Sequence, residues 1–262
     1  MGAVASSVNI LGVEFYPVTK SGAFNSLDWM LSRDDRRTRI VVTANPIMVM
    51  TAQRDPLFME ILDRADLLVP DGVGILWAAR KFGKALPERV TGVDLTHYLL
   101  HRKPSTRIYL LGGRPEVAER ARRNVEKEIP GAKICGTAHG YFGPGEEPAV
   151  VDAVRAARPD VILVGMGSPR QEKFIWTHRK RLGAKVAIGV GGVLDILAGE
   201  SKRAPEVFQK AGLEWLYRLV KEPKRLRADL KLIEFFFKVQ FLAASKRKDD
   251  EADAGEADRD YR

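Results

Sequence analysis

Six short apolar runs recur between residues 39 and 192: "RIVVTAN", "DLLVPDG", "TRIYLLGG", "AKICGTA", "PDVILVGMG" and "AKVAIGVGG". Each is rich in Val, Ile or Leu and is followed by a turn or by the start of a helical pattern. That rhythm predicts βαβ units, hence a Rossmann-like α/β fold with a mainly parallel sheet and helices on both faces. A further strand is expected near Ile10 to Phe15. The runs end in polar or glycine-rich residues, so their C-terminal ends should gather on one edge, where open α/β sheets bind ligands.

Beyond about residue 200 the rhythm stops. The stretch "APEVFQKAGLEWLYRLVKEPKRLRADLKLIEFFFKVQFLAA" holds no strand signal, and Pro223 divides it into two helical segments. In the second, Leu226, Leu230, Ile233, Phe237 and Phe241 recur at three- and four-residue spacing, with Phe235 and Phe236 widening the apolar side. Lys224, Arg225, Arg227, Lys231 and Lys238 form the basic remainder. An apolar stripe beside a basic face suits a helix lying in a membrane interface, and equally one that packs on the sheet domain or a second subunit. The expected organisation is an α/β domain over 1–200, a basic helical appendage over 201–248 and a disordered acidic tail over 249–262.

Charge sharpens this division. The 262-residue chain carries a formal +9, but residues 201–248 hold 13 Lys+Arg against 5 Asp+Glu, and residues 249–262 hold 2 against 7. So dense a cationic segment seeks an anionic partner. A membrane surface fits it better than nucleic acid, because the aromatics form a helix stripe and not a base-stacking platform. No run reaches the roughly 20 apolar residues that span a bilayer. A single cysteine, Cys135, excludes an internal disulfide framework and fits a reducing cytosol. The pair His97 and His101 lacks the glutamate of H-E-x-x-H, and the only D-x-D, Asp258 to Asp260, falls in the acidic tail. No metal site and no metal cofactor are expected.

Several strand ends carry candidate chemistry. "VVTANP" places Thr43 and Asn45 where a buried strand gives way to a helix opened by Pro46. "VPDGVGI" places Asp71 at the next strand end, where a carboxylate serves either as a helix cap or as a general base beside a ligand. In "PERVTGVDL", Arg89 precedes Thr91, Gly92 and a helix start near Asp94, an arrangement suited to a diphosphate or to a surface salt bridge. Gly112 and Gly113 in "LLGGRPE", like the glycines of "GVGGVLDILAG", permit close backbone approach to a phosphate or simply a tight strand-to-helix turn; neither completes a dinucleotide fingerprint. "GMGSPRQEKFI" puts Pro169 at the expected first helical position, with Arg170 and Gln171 on the first turn. The Gln171 amide suits recognition of a sugar hydroxyl, or else is exposed surface.

Taken in order, "TANP", "PDGVGI", "ERVTGVDL", "LLGG", "GYFGP", "GMGSPRQEKFI", "GVGGVLDILAG" and "RAPEVFQKAGLEWLYRLVKEPKR" resemble the WecG/TagA/CpsF family of bacterial glycosyltransferases, from about residue 10 to 240. The resemblance implies inverting, metal-independent transfer from a UDP-sugar to an undecaprenyl-diphosphate-linked saccharide, by an enzyme peripheral on the cytoplasmic membrane face. It implies Asp71 as base with Thr43 and Asn45 beside it, Arg89 and Gln171 as donor or diphosphate contacts, and Tyr141 and Asp195 near the nucleoside. It also implies that Arg218 and Arg225 of the appendage close over the diphosphate. A further cation common in the family is displaced here to Arg227, and one residue turns a helical side chain by about 100°. N-acetylmannosamine, its uronic acid and glucuronic acid all remain open as donor sugars, as does homo-oligomerisation. The alternative is a non-catalytic sugar-nucleotide- or lipid-binding module at the membrane.

Overall fold

The computed structural model describes residues 7–35, 37–102, 104–201, 205 and 226–257, with the side chains of the last stretch described over 230–245. All six apolar runs are strands: β3 (Arg39–Ala44), β4 (Leu67–Pro70), β5 (Arg107–Gly112), β6 (Lys133–Ala138), β7 (Val161–Gly165) and β8 (Val186–Gly189). They form one sheet in the order β4-β3-β8-β7-β5-β6, every neighbouring pair parallel.

The sheet is covered on both sides. Ile40, Val42, Leu68, Ile162 and Val164 face a core shared with α2 (Pro46–Ala52), α3 (Pro56–Asp63), α4 (Val73–Lys81), α7 (Glu147–Ala156) and α8 (Arg170–His178). The alternating residues Val41, Val69, Leu110, Leu163 and Ile188 face α1 (Lys20–Leu31), α5 (Gly92–His101), α6 (Val117–Glu128) and α9 (Val193–Leu197). Successive strand side chains point to opposite faces, so two buried faces require the unbroken apolar runs seen in the sequence.

The expected single strand near Ile10 is instead a separate hairpin, β1 (Val8–Ile10) paired antiparallel with β2 (Val13–Phe15). Leu11 and Gly12 form its turn with φ of 53° and 84°, and the Gly12 amide donates to Asn9 Oδ1 at 3.0 Å. Positive φ at both central residues is the two-residue turn that suits twisted hairpins, normally signalled by Asn-Gly. A leucine in the first position hid that signal.

Helix α10 (Leu226–Ala257) packs on α2 and α4. Leu232, Phe235, Val239 and Ala243 are buried along its inner side, and Phe235 and Val239 join the same core as the sheet. The stripe picked out in the sequence lies on the other side: Leu230, Ile233, Phe237 and Phe241 are exposed. The two stripes are offset by two residues, about 200° around a helix, so α10 is apolar on two opposite faces. Lys231 and Lys238, expected on the outer basic face, instead reach Thr51 Oγ1 (2.9 Å) and Gln53 Oε1 (3.3 Å), and Arg54 pairs with Glu234 at 2.7 Å.

The helix runs on to Ala257. Ala and Glu in "DDEADAGEA" are good helix formers. Pro223, Asp258 and Asp260 lie outside the described residues.

At the strand ends the backbones approach closely. Gly112 has φ of 144°, and a Cβ there would stand 2.3 Å from the Gly165 carbonyl oxygen. Gly112→Ala is therefore expected to destabilise the fold by about 1–3 kcal/mol, the range for overpacking a tight site, and to lower Tm in a thermal melt. An unchanged Tm would mean that β5 and β7 can separate without penalty.

Candidate active site

The chain leaves β3 through α2 toward one face of the sheet and β8 through α9 toward the other. Adjacent strands whose connections diverge open a crevice at their carboxyl ends. Thr43 and Asn45 stand on one side of it and the Val190–Gly192 turn on the other. Thr43 is buried, and the α5 start closes over it: a Cβ on Gly92 would lie 3.6 Å from Thr43 Oγ1 and 3.5 Å from the Val190 Cα.

Asp71 arrives at the same corner through strand register. Ala44 is paired with Pro70, and the Asp71 amide donates to the Ala44 carbonyl at 2.8 Å. The half-buried Asp71 carboxyl is thus carried on the backbone step beside Asn45. It does not occupy the cap position of α4; that falls to Gly72, at φ of 120°, with no side-chain cap bond. Asn45 caps α2, its Oδ1 accepting from the Met48 amide at 3.1 Å, which turns the carbonyl end of its side chain to structural use. The Val90 amide donates to the Pro70 carbonyl at 2.9 Å, so the half-buried Arg89 borders the same strand end.

The α5 start is less open to anions than the sequence implies. Thr91 and Asp94 form a reciprocal capping box, and Lys20 approaches the Asp94 carboxylate at 3.5 Å. A carboxylate on the first turn opposes a phosphate there.

On the other side of the crevice, Gly113 donates to the Gly165 carbonyl and Gly140 to the Gly113 carbonyl, both at 2.9 Å. These bonds draw the ends of β5 and β7 and the Gly140–Tyr141 loop together. Gly112 and Gly113 are accounted for by this packing, since a Cβ on Gly113 would meet Val117 at 2.6 Å. Tyr141 is 66 % exposed and Asp195 half-buried on α9. Arg114, not singled out in the sequence, lies near both, and pairs with Glu200 at 2.5 Å.

Gln171 is neither exposed nor on a surface. It is 4 % exposed, its Nε2 donates to Glu172 Oε1 at 2.7 Å, and its Oε1 accepts from the Gly191 amide at 3.1 Å. Pro169 occupies the cap position of α8 after a cis Ser168–Pro169 bond, one place earlier than expected, and Arg170 reaches the Phe142 carbonyl at 3.1 Å. Arg218 and Arg225 lie outside the described residues; Arg227 falls in the first turn of α10 and its side chain is not among those described.

Asp71 and Arg89 therefore lie at one end of the sheet edge, and Tyr141, Asp195 and Arg114 toward the other. From β4 to β5 is four interstrand steps, roughly 19 Å. Helix α10 overlies the Asp71 end: Phe236 meets Trp77 edge-on at 4.7 Å and would touch a Cβ on Gly74 at 3.8 Å, and α2 and α4 begin directly after Asn45 and Asp71. Two clefts, of about 420 and 340 Å³, open elsewhere. One runs along α5 beside His97 and His101, the other beside Arg37 and Trp176; neither is lined by Asp71.

A parallel sheet thus carries an acid, an amide and an arginine at one end of its carboxyl edge, where open α/β sheets bind ligands. The chain belongs to the glycosyl transferase WecG/TagA/CpsF family, whose model matches residues 8–250. It is 33% identical over 249 residues to the N-acetylglucosaminyldiphosphoundecaprenol N-acetyl-beta-D-mannosaminyltransferase of Staphylococcus aureus strain MRSA252, covering 93% of this chain and 94% of the relative. Proteins of the same name from strains MW2 and NCTC 8325 are 32% identical over the same shares.

Proposed function

We propose that this glycosyltransferase moves an N-acetylmannosamine-type sugar from a UDP-linked donor to an undecaprenyl-diphosphate-linked N-acetylglucosamine, with inversion. The observation that carries the reading is Asp71, fixed beside Asn45 by the register of β4 on β3. Its carboxylate accepts the proton of the acceptor hydroxyl as that oxygen bonds to the anomeric carbon. The bond from that carbon to the donor phosphate breaks on the opposite side, and UDP leaves with the electron pair. One displacement gives one inversion.

Asn45 meets the substrates through its amide nitrogen, its oxygen being engaged in the α2 cap. Arg89 stabilises the departing diphosphate, and Tyr141 and Asp195 take the nucleoside end. The names and coverage of the relatives support N-acetylmannosamine over the uronic acids. A panel of UDP-sugars with a short-chain lipid-diphosphate acceptor tests the assignment; donor binding with no transfer from any of them would favour a binding module instead.

The reaction is proposed to need no divalent ion. Among the described residues, His, Cys, Asp and Glu side chains do not gather in threes around a common point, and cationic side chains take the place of a metal at the diphosphate. Chelator is expected to leave the initial rate unchanged in an assay without metal-dependent coupling enzymes. A rate abolished by chelator and restored by magnesium or manganese would contradict this.

Attachment is proposed to be peripheral, on the cytoplasmic membrane face. Among the described residues no helix is long and apolar enough to cross a membrane, whereas α10 presents Leu230, Ile233, Phe237 and Phe241 outward. Its inner side lies on the two helices that start at the catalytic corner. Docking on lipid therefore brings the lipid-linked acceptor to Asp71.

A further inference from the structure

We propose that Glu172 is a positioning residue of the donor site: its buried carboxyl orients the Gln171 amide, which holds the Gly191 turn from which Asp195 is presented. The proposal rests on the reading above, in which Asp195 serves the nucleoside end.

Glu172 is 1 % exposed, on the first turn of α8. Its Oε1 accepts from Gln171 Nε2 at 2.7 Å, while Oε2 is buried with no hydrogen-bond partner among the described residues. Ionised, the group would hold a charge in the interior with one oxygen unsatisfied, an expensive state. Burial pushes the carboxyl above its ordinary value, and the nearby Gln171 amide and Ser168 hydroxyl oppose that only in part. A protonated carboxyl would keep its carbonyl oxygen at Oε1, toward the Gln171 amide.

Gln171 cannot flip without loss. Its Oε1 accepts from the Gly191 amide at 3.1 Å, and reversal would set an NH₂ against that N–H. The backbone is shaped around this pair. A Cβ on Gly189 would stand 2.5 Å from Gln171 Nε2 and 2.7 Å from Glu172 Oε1. A Cβ on Gly165 would stand 2.7 Å from the Gly191 carbonyl oxygen. Gly191, at φ of 54°, lies two residues before α9, which carries Asp195 on its first turn. A polar chain from Glu172 through Gln171 to Gly191 therefore fixes the turn beneath the nucleoside end, with no ligand contact required of Glu172 itself.

Three variants of the full chain test this. Glu172→Gln keeps an uncharged acceptor facing Gln171; Glu172→Leu removes the acceptor at similar size; Glu172→Asp keeps the acid but withdraws it by one methylene. Two readouts are used: the donor KM beside kcat, and hydrogen exchange at the Gly191 amide, which does not depend on the assigned activity. Glu172→Gln should retain the wild-type donor KM and Gly191 protection. Glu172→Leu and Glu172→Asp should raise the donor KM about tenfold, with kcat changed less, and Gly191 should exchange about tenfold faster, each corresponding to one lost buried hydrogen bond. If Leu does not fold, the Asp variant supplies the same comparison. Wild-type KM and Gly191 protection in both Leu and Asp variants would overturn the proposal, as would a Gln variant impaired like them, which would show that the charge is required. Altered Gly191 exchange in an enzyme whose wild type transfers no UDP-sugar would sink the functional reading while upholding the Glu172 relay.

Discussion

Asp71→Asn is expected to lower turnover by roughly 10²-fold or more while leaving UDP affinity and thermal stability near wild type, the scale that loss of a general base produces. Asparagine keeps the shape of the side chain, and the backbone bond from the residue 71 amide to the Ala44 carbonyl is left intact by the substitution. The loss should therefore fall on kcat and not on the donor KM, the mark of a group used in the transition state. Near-normal turnover in this variant would remove Asp71 from the chemistry and leave the corner formed by Thr43 and Asn45 without its base.

The second large effect belongs to the outer stripe of α10. Replacing Ile233, Phe237 and Phe241 together with serine should weaken liposome binding by more than about 100-fold, since burying side chains of this size stabilises by roughly 1.5–3 kcal/mol each. Folding should be spared, because these residues are 53%, 73% and 72% exposed. Truncating the chain before α10 would be a poor test. Phe235 and Val239 are in the central core, so removing them uncovers α2 and α4 and unfolds what the test means to leave intact. Binding should also respond less to salt than the composition implies, because Lys231 and Lys238 are turned toward α2. Unchanged sedimentation of the serine variant with anionic vesicles would refute membrane docking through this face.

The sheet was legible because its signal is strong: two buried faces force continuous apolar runs, and all six predicted strands form. The corner at Asp71 was legible for a related reason, since polar residues ending such runs must meet at the carboxyl edge. What stayed hidden depends on long-range contacts. Gln171 is polar and sits on a first helical turn, which suggests exposure; only the missing Cβ of Gly189 makes room for it inside. Glu172 gave no signal beyond a charged letter on an amphipathic helix. In α10 the exposed stripe outscored the buried one because Phe237 and Phe241 are larger than Val239 and Ala243, although the smaller residues make the close contact with the body. Arg114 carries no local signal, because its neighbours Asp195 and Tyr141 are remote in sequence.

The most direct measurement is mass-spectrometric detection of transfer, with purified protein, a short-chain lipid-diphosphate N-acetylglucosamine acceptor and UDP-linked N-acetylmannosamine, N-acetylglucosamine and glucuronic acid offered separately. The account predicts an acceptor heavier by one N-acetylhexosamine with the N-acetylmannosamine donor, UDP released in equal amount, and a new linkage of inverted anomeric configuration. Retained configuration, or UDP release without any gain of mass by the acceptor, would contradict it.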